Sequence, residues 1–158
     1  MVEERLYHLL LEKGKTLATA ESCSGGLVAH RITNVPGVSE VFLMGVVSYS
    51  NEAKVKVLGV NVETLESKGA VSSEVAIQMA TGVRELAGSD LGIGITGIAG
   101  PTGGSEEKPV GTVYMAVSYP DKGIEEARLF QFDGDRESVK SQTAEVALQW
   151  LCRVLSDS

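Results

Sequence analysis

A strand-like run that passes through a few small residues straight into a helix-like run leaves a chain little choice of fold. Lys15-Thr16-Leu17-Ala18-Thr19-Ala20 is the strand-like run and Leu27-Val28-Ala29-His30-Arg31-Ile32 the helical one. Glu21-Ser22-Cys23-Ser24-Gly25-Gly26 lies between them. Strands that alternate with helices pack as a sheet covered by helices, and here the alternation continues along the chain. Residues 2–13 predict a helix, with Leu6, Leu9, Leu10 and Lys13 on one flank and Gly14 as its stop. The strand then spans 15–20 and the next helix 24–33. Asn34-Val35-Pro36-Gly37-Val38-Ser39 is turn chemistry. Residues 41–50 read as a long strand, apolar enough for burial on both faces. Asn51 reads as the N-cap of a short helix through Leu58, stopped by Gly59, and residues 62–68 add another. Ser72 or Ser73 caps a longer helix, in which Val75, Ala76, Met79, Ala80, Val83, Leu86 and Ala87 recur at helical spacing.

Leu91-Gly92-Ile93-Gly94-Ile95-Thr96 is a third strand, and residues 97–109 form a loop rich in glycine, proline and serine. Val110 to Tyr119 and Ile124 to Phe132 read as adjacent strands joined by Pro120-Asp121-Lys122-Gly123, a hairpin connection. A last helix from about residue 135 buries Val139, Val146, Trp150, Leu151 and Val154. Five strands interleaved with helices predict a three-layer α/β/α sandwich, its sheet mixed because of the final hairpin and otherwise mostly parallel. A length of 158 residues suits one domain, 1–158, with a real core.

A net charge of −7 argues against nucleic acid as a partner, because phosphate backbones need a basic face. Small anionic substrates stay open, since one local basic group suffices for them. Met1-Val2-Glu3-Glu4-Arg5 shows no apolar signal region, and runs such as Val41 to Val47 are too short to span a bilayer, so a cytoplasmic protein is expected. Cys23 and Cys152 form no CxxC, and His8 and His30 lie on separate segments, so no metal-ligand cluster is visible.

Ligands of such sheets sit outside the carboxyl ends of the strands. Ser22, Tyr49, Lys54, Thr96 and the 97–109 loop all follow strand ends. Two readings stand for Ser22. It is a nucleophile on a sharp turn, with small neighbours Ala20 and Ser24, or part of a capped helix start with Ser22 or Ser24 at N-cap. As a nucleophile it needs a base. His30 is eight residues into the following helix, about 12 Å away, and does not fold back. Lys54, inside the first turn of its helix, opposes the helix dipole, which favours the neutral amine a base requires. The plain reading of Lys54 is a solvated lysine like Lys56. Tyr49 relays a proton or simply packs with its hydroxyl wet. Cys23 is a rival nucleophile or a small buried residue under the helix start.

The 97–109 loop carries glycines that let backbone N–H groups approach a ligand. It is no P-loop, because no Gly-Lys-Ser/Thr follows and a strand comes next. Gly134-Asp135-Arg136 opens the last helix: a helix start plus Arg136 makes a site for phosphate or carboxylate, or a surface arginine paired with Glu137 or Asp133.

Taken together, five stretches resemble the CinA C-terminal domain family. They are Thr19-Ala20-Glu21-Ser22-Cys23-Ser24-Gly25-Gly26, Val47-Ser48-Tyr49-Ser50-Asn51-Glu52-Ala53-Lys54, Gly94-Ile95-Thr96-Gly97-Ile98-Ala99-Gly100-Pro101, Lys108-Pro109-Val110-Gly111-Thr112-Val113 and Gly134-Asp135-Arg136. The likeness runs in order from about residue 5 to 155. Characterised members of that family are nicotinamide-nucleotide amidases, the PncC enzymes of pyridine-nucleotide salvage, with an α/β/α fold. The resemblance implies hydrolysis of nicotinamide mononucleotide to nicotinate mononucleotide and ammonia, with no cofactor and no required metal. It implies a homodimer or higher homo-oligomer, with neither nucleic acid nor membrane as partner. Full CinA proteins carry a further N-terminal domain, which is not expected in this chain.

The family's implicated residues fall here on Ser22, Tyr49, Lys54, Ser39, Thr96 and Arg136. Ser24 stands where threonine is common, and the hydroxyl is retained. The implied roles are Ser22 as nucleophile, Lys54 as base and Tyr49 as relay. Ser24, Gly25, Ser39, Thr96, Gly97, Gly100 and Arg136 form the substrate-binding set. Oxyanion donors are expected among the backbone N–H groups of Ser22 to Gly25 or of the 97–100 loop. A catalytically silent nucleotide-binding domain, or an amidase for another small carboxamide, are the alternatives.

Overall fold

Six helices and five strands follow one another in a computed structural model that describes residues 1–157. In chain order they are α1 (Val2–Lys13), β1 (Leu17–Glu21), α2 (Leu27–Thr33), β2 (Phe42–Val47), α3 (Asn51–Leu58), α4 (Val62–Lys68), α5 (Ser73–Ala87), β3 (Leu91–Gly97), β4 (Thr112–Tyr119), β5 (Ile124–Gln131) and α6 (Arg136–Ser156). The strands form one sheet in the order β2-β1-β3-β4-β5. β1 pairs parallel with β2 and β3, and the β3–β4 and β4–β5 pairs are antiparallel. The sheet is therefore mixed, as the hairpin predicts, with only β4 running against the rest.

The two faces of the sheet are covered differently. Leu17, Ile93, Ile95, Met115 and Val117 point to one side, where Leu6 and Leu10 of α1, Val28 and Ile32 of α2, and Val139, Leu148, Trp150 and Leu151 of α6 close over them. Ala18 and Ala20 point to the other side, against Leu58, Val75, Met79 and Val83. Alternation along each strand thus sends successive residues of β1 into two separate cores. Val146 is half-buried at the margin of the first core, and on α5 Leu86 is exposed while Ala87 packs half-buried against the second core. Among the described residues no helix is long and apolar enough to cross a membrane.

Three local expectations need correction. β2 is not buried on both faces. It is an edge strand paired only with β1, and Leu43 and Val47 stay 45% and 50% exposed on it. α2 begins at Leu27 rather than at residue 24, because Gly25 and Gly26 hold the preceding turn at φ 63° and 98°. The N-cap of α3 is Ser50, whose Oγ accepts from the Ala53 N–H at 3.1 Å, and not Asn51. Lys54 consequently sits one position deeper in its helix than the sequence suggests.

α5 lies against β3 backbone to backbone. A Cβ on Gly94 would run into the Ala76 carbonyl oxygen and lie 2.6 Å from the Ala80 nitrogen. Ala76 and Ala80 keep the facing helix equally small, and both are fully buried. Helix backbone cannot give way as a flexible side chain does, so Gly94→Ala should destabilise the protein by about 1–3 kcal/mol, the scale of overpacking. A urea unfolding midpoint unchanged from wild type would show that the α5–β3 contact is looser than this geometry.

Candidate active site

The end of β1 turns where the sheet's carboxyl edge meets α2 and α3. Ser22 is the first residue past the strand, and its N–H still donates to Ile95 O of β3 at 3.0 Å. The turn closes when the Gly25 N–H donates to Ser22 O at 3.0 Å and the Leu27 N–H to Ser24 O at 3.1 Å. Gly26, the N-cap of α2, has no side chain to cap the helix. Glu21 does so instead. Its carboxylate accepts the N–H groups of Val28 and Ala29 at 3.0 Å each and the Ser24 hydroxyl at 2.6 Å. Only 1% exposed, this carboxylate is stabilised by donors at the positive end of a helix. Sequence reasoning gave Glu21 no role; the signal was a lone carboxylate ahead of a helix whose N-cap is glycine.

Ser22 points to the α3 side of the sheet. Lys54 reaches it there, with Nζ 3.0 Å from Ser22 Oγ and 2.9 Å from the Ser48 carbonyl oxygen. Lys54 is 2% exposed and, among the described residues, has no carboxylate within 4.0 Å of its nitrogen. Burial pushes its pKa below the usual lysine value. Of the two sequence readings, solvated lysine is therefore excluded. The buried Ser48 hydroxyl, on the residue whose carbonyl anchors the amine, has no partner among the described residues. Cys23, adjacent to Ser22, is buried against the first core. Burial, with the Glu21 charge beside it, pushes its thiol up to about 12, so it stays protonated and unreactive.

The other expected residues divide into those near this cluster and those away from it. Tyr49 is exposed, and its hydroxyl accepts from an Arg136 Nη rather than touching Ser22 or Lys54, which removes it as a direct relay in this geometry. The second Arg136 Nη donates to Gly100 O at 2.6 Å, so Arg136 pairs with neither Glu137 nor Asp133. Thr96 lies beside Ser22 by the β1–β3 register, but its hydroxyl donates to Ala70 O at 2.8 Å. Gly97 is pressed against β4, where a Cβ would lie 2.6 Å from Thr112 O. Ser39 does not join the cluster. It is exposed in the turn before β2, at the end of that strand remote from Ser22.

Ser24, Gly25, Gly26, Leu27 and His30 form one wall of a groove of about 590 Å³, and Arg136, Glu137, Lys140 and Ser141 form the other. Lys140 was not singled out from sequence, although its spacing of four from Arg136 on a helix is a legible signal. No group of three or more His, Cys, Asp or Glu side chains gathers as metal ligands among the described residues.

Comparison with known proteins agrees over nearly the whole chain. The CinA C-terminal domain family model matches residues 1–155. A CinA-like protein of Kosmotoga olearia is 52% identical over 154 residues, covering 98% of this chain and 37% of that protein. A CinA-like protein of Geotalea daltonii is 56% identical over 147 residues, 93% of this chain and 35% of that protein. The chain thus spans a little over a third of the length of these relatives. A crystal structure of a competence-damaged protein (CinA) superfamily protein from Klebsiella pneumoniae superimposes with a TM-score of 0.94 at 38% identity, covering 99% of this chain and 97% of that one.

Two measurements follow from the site's electrostatics. Removing Glu21 leaves the Val28 and Ala29 N–H groups and the Ser24 hydroxyl without their acceptor, so Glu21→Ala should cost about 1–3 kcal/mol in urea unfolding. Ser24→Ala, which loses one contact, should cost less; equal costs would mean the carboxylate does not hold α2. Lys54 binds fewer protons folded than unfolded near its lowered pKa, so its contribution makes stability rise with pH up to the ordinary lysine value of about 10.4. Lys54→Met should flatten the unfolding midpoint against pH on the approach to that ordinary value; an unchanged slope would mean that the amine is not perturbed.

Proposed function

The chain belongs to the CinA C-terminal domain family, and on that premise we propose that it is a serine amidase that converts nicotinamide mononucleotide to nicotinate mononucleotide and ammonia. The observation that carries the reading is the buried, carboxylate-free Lys54 amine at 3.0 Å from Ser22 Oγ.

The chemistry follows from what each atom is able to donate. A carbonyl oxygen only accepts, so one Lys54 N–H goes to Ser48 O. That anchor leaves the lone pair of a neutral amine free for the Ser22 proton. Ser22 Oγ attacks the carboxamide carbon as Lys54 takes the proton, and a tetrahedral oxyanion forms. The N–H groups of Ser22, Gly25 and Leu27 are already committed, so the oxyanion falls to the free ones of Cys23, Ser24 and Gly26 in the turn or of Ala99 and Gly100 in the facing loop. On collapse of the intermediate the C–N bond breaks, and Lys54 returns the proton to the departing ammonia. Water then hydrolyses the acyl-serine by the same base, releasing the carboxylate and restoring Ser22.

The nucleotide lies over the turn, with its carboxamide on the Ser22 side and its phosphate on the α6 side. The protein acts in this reading as one amidase domain in the cytoplasm, without a cofactor, as a homodimer or higher oligomer.

Ammonia release from nicotinamide mononucleotide tests the activity. Ser22→Ala should leave a folded protein at least about a thousandfold slower, the scale of losing one member of a catalytic unit. Arginine stays charged at accessible pH, so Lys54→Arg should be nearly inactive while circular dichroism is retained, and should lose the limb along which wild-type kcat rises with pH. Lys54→Arg running within about tenfold of wild type, a barrier change of only about 1.4 kcal/mol, would remove Lys54 as base. No ammonia from nicotinamide mononucleotide, with turnover of another small carboxamide, would overturn the substrate.

A further inference from the structure

Arg136 and Lys140 lie one helical turn apart on α6 and face the same groove, yet they are not equivalent cations. Both terminal nitrogens of Arg136 are engaged by protein oxygens, Gly100 O and the Tyr49 hydroxyl. Lys140 is half-buried, and its ammonium stands over the bare backbone of Gly25, 3.2 Å from where a Cβ would be. Among the described residues it makes no hydrogen bond and has no carboxylate within 4.0 Å. Glu137 on the preceding turn lines the groove but is exposed and does not pair with it. The opposite wall begins with the small residues Ser24-Gly25-Gly26 and continues with Leu27 and His30, and the Nζ lies in the groove between the two walls.

We propose that Lys140 is the residue that reads the substrate's phosphate monoester, and that Arg136 is the strut that ties the start of α6 to Gly100 and Tyr49. This assignment rests on the amidase reading of the Ser22 site. The same turn carries the nucleophile at one end and the floor beneath Lys140 at the other. The assignment requires one ligand to span this turn, because Ser22 and Lys54 do not themselves line the groove. An ammonium on a flexible stem serves a phosphate as a point charge, a role that needs no other fixed donor.

Binding of ribose 5-phosphate, which has the anion and no carboxamide, tests the site without turnover. Titration calorimetry on wild type, Lys140→Gln and Lys140→Arg should show at least tenfold weaker binding for Lys140→Gln and recovery in Lys140→Arg. Ribose should bind none of them. In kinetics, Lys140→Gln should raise KM for nicotinamide mononucleotide far more than it lowers kcat. It should also shrink the kcat/KM preference for that nucleotide over nicotinamide riboside at least tenfold. Ribose 5-phosphate binding unaffected by Lys140→Gln, or absent from wild type, overturns the proposal. If no carboxamide is hydrolysed but ribose 5-phosphate binding still depends on Lys140, the anion site stands and the amidase reading falls.

Discussion

Everything at the reactive edge of the sheet is referred to one buried carboxylate. Glu21 ends β1, and its side chain takes the first free N–H groups of α2 together with the Ser24 hydroxyl. Its own carbonyl accepts the Ser48 N–H at 2.8 Å, which ties the end of β2 to the end of β1. Ser48 in turn holds the Lys54 amine through its carbonyl, and Lys54 meets Ser22. The hydroxyl and the amine are thus positioned by a closed circuit of hydrogen bonds in which nearly every link runs through backbone. A carboxylate buried to this degree would be costly without partners. Here the helix start supplies them, and the same contact that satisfies the charge fixes the angle at which the turn leaves the sheet.

That arrangement explains how neighbouring residues acquire opposite chemistry. Ser22 and Cys23 differ by one position, and the turn sends one toward Lys54 and the other into the first core. The more nucleophilic element is the one put out of reach. Burial and the nearby Glu21 charge keep the thiol protonated. Burial acts on Lys54 in the opposite sense, because the charged form of an amine is its protonated one. Burial on the two sides of the turn therefore keeps an acid protonated and lowers the pKa of an amine, as the base of the proposed reaction requires, and no carboxylate among the described residues holds the ammonium. A stabilising salt bridge to Lys54 would raise its pKa and work against proton transfer from serine.

The order and type of the elements were legible because strands and helices in this chain carry clean patterns. Ala18 and Ala20 against Leu17 show the two-sided alternation of β1, and α5 repeats its small and apolar residues at helical spacing. What the pattern did not carry was neighbourhood. β2 reads as a central strand because Phe42-Leu43-Met44-Gly45-Val46-Val47 is apolar throughout, yet pairing order, which composition does not encode, puts it at the edge. Ser22 and Lys54 follow the ends of two strands, and a parallel β1–β2 pair brings those ends together. Ser39, implied by the family resemblance alone, precedes β2, and a strand separates it from the edge where β2 ends. Glu21 escaped notice because a carboxylate serving as cap for a helix beyond its own turn has no fixed sequence spacing.

Arg136 shows why the edge behaves as one unit rather than as three loops. Its guanidinium joins α6 to Gly100 in the 97–109 loop and to Tyr49 between β2 and α3. Those contacts need the planar fork of arginine, which donates in two directions from a fixed geometry. An ion engaged in this way has less to give an incoming anion, since a new partner must replace a satisfied one or share it. A lysine one turn later has no such commitment, and its ammonium rests over Gly25 at the side of the groove. In the proposed assignment Arg136 and Lys140 therefore divide work that a single residue would have to do badly: Arg136 ties α6 to Gly100 and Tyr49, and Lys140 remains free to answer charge.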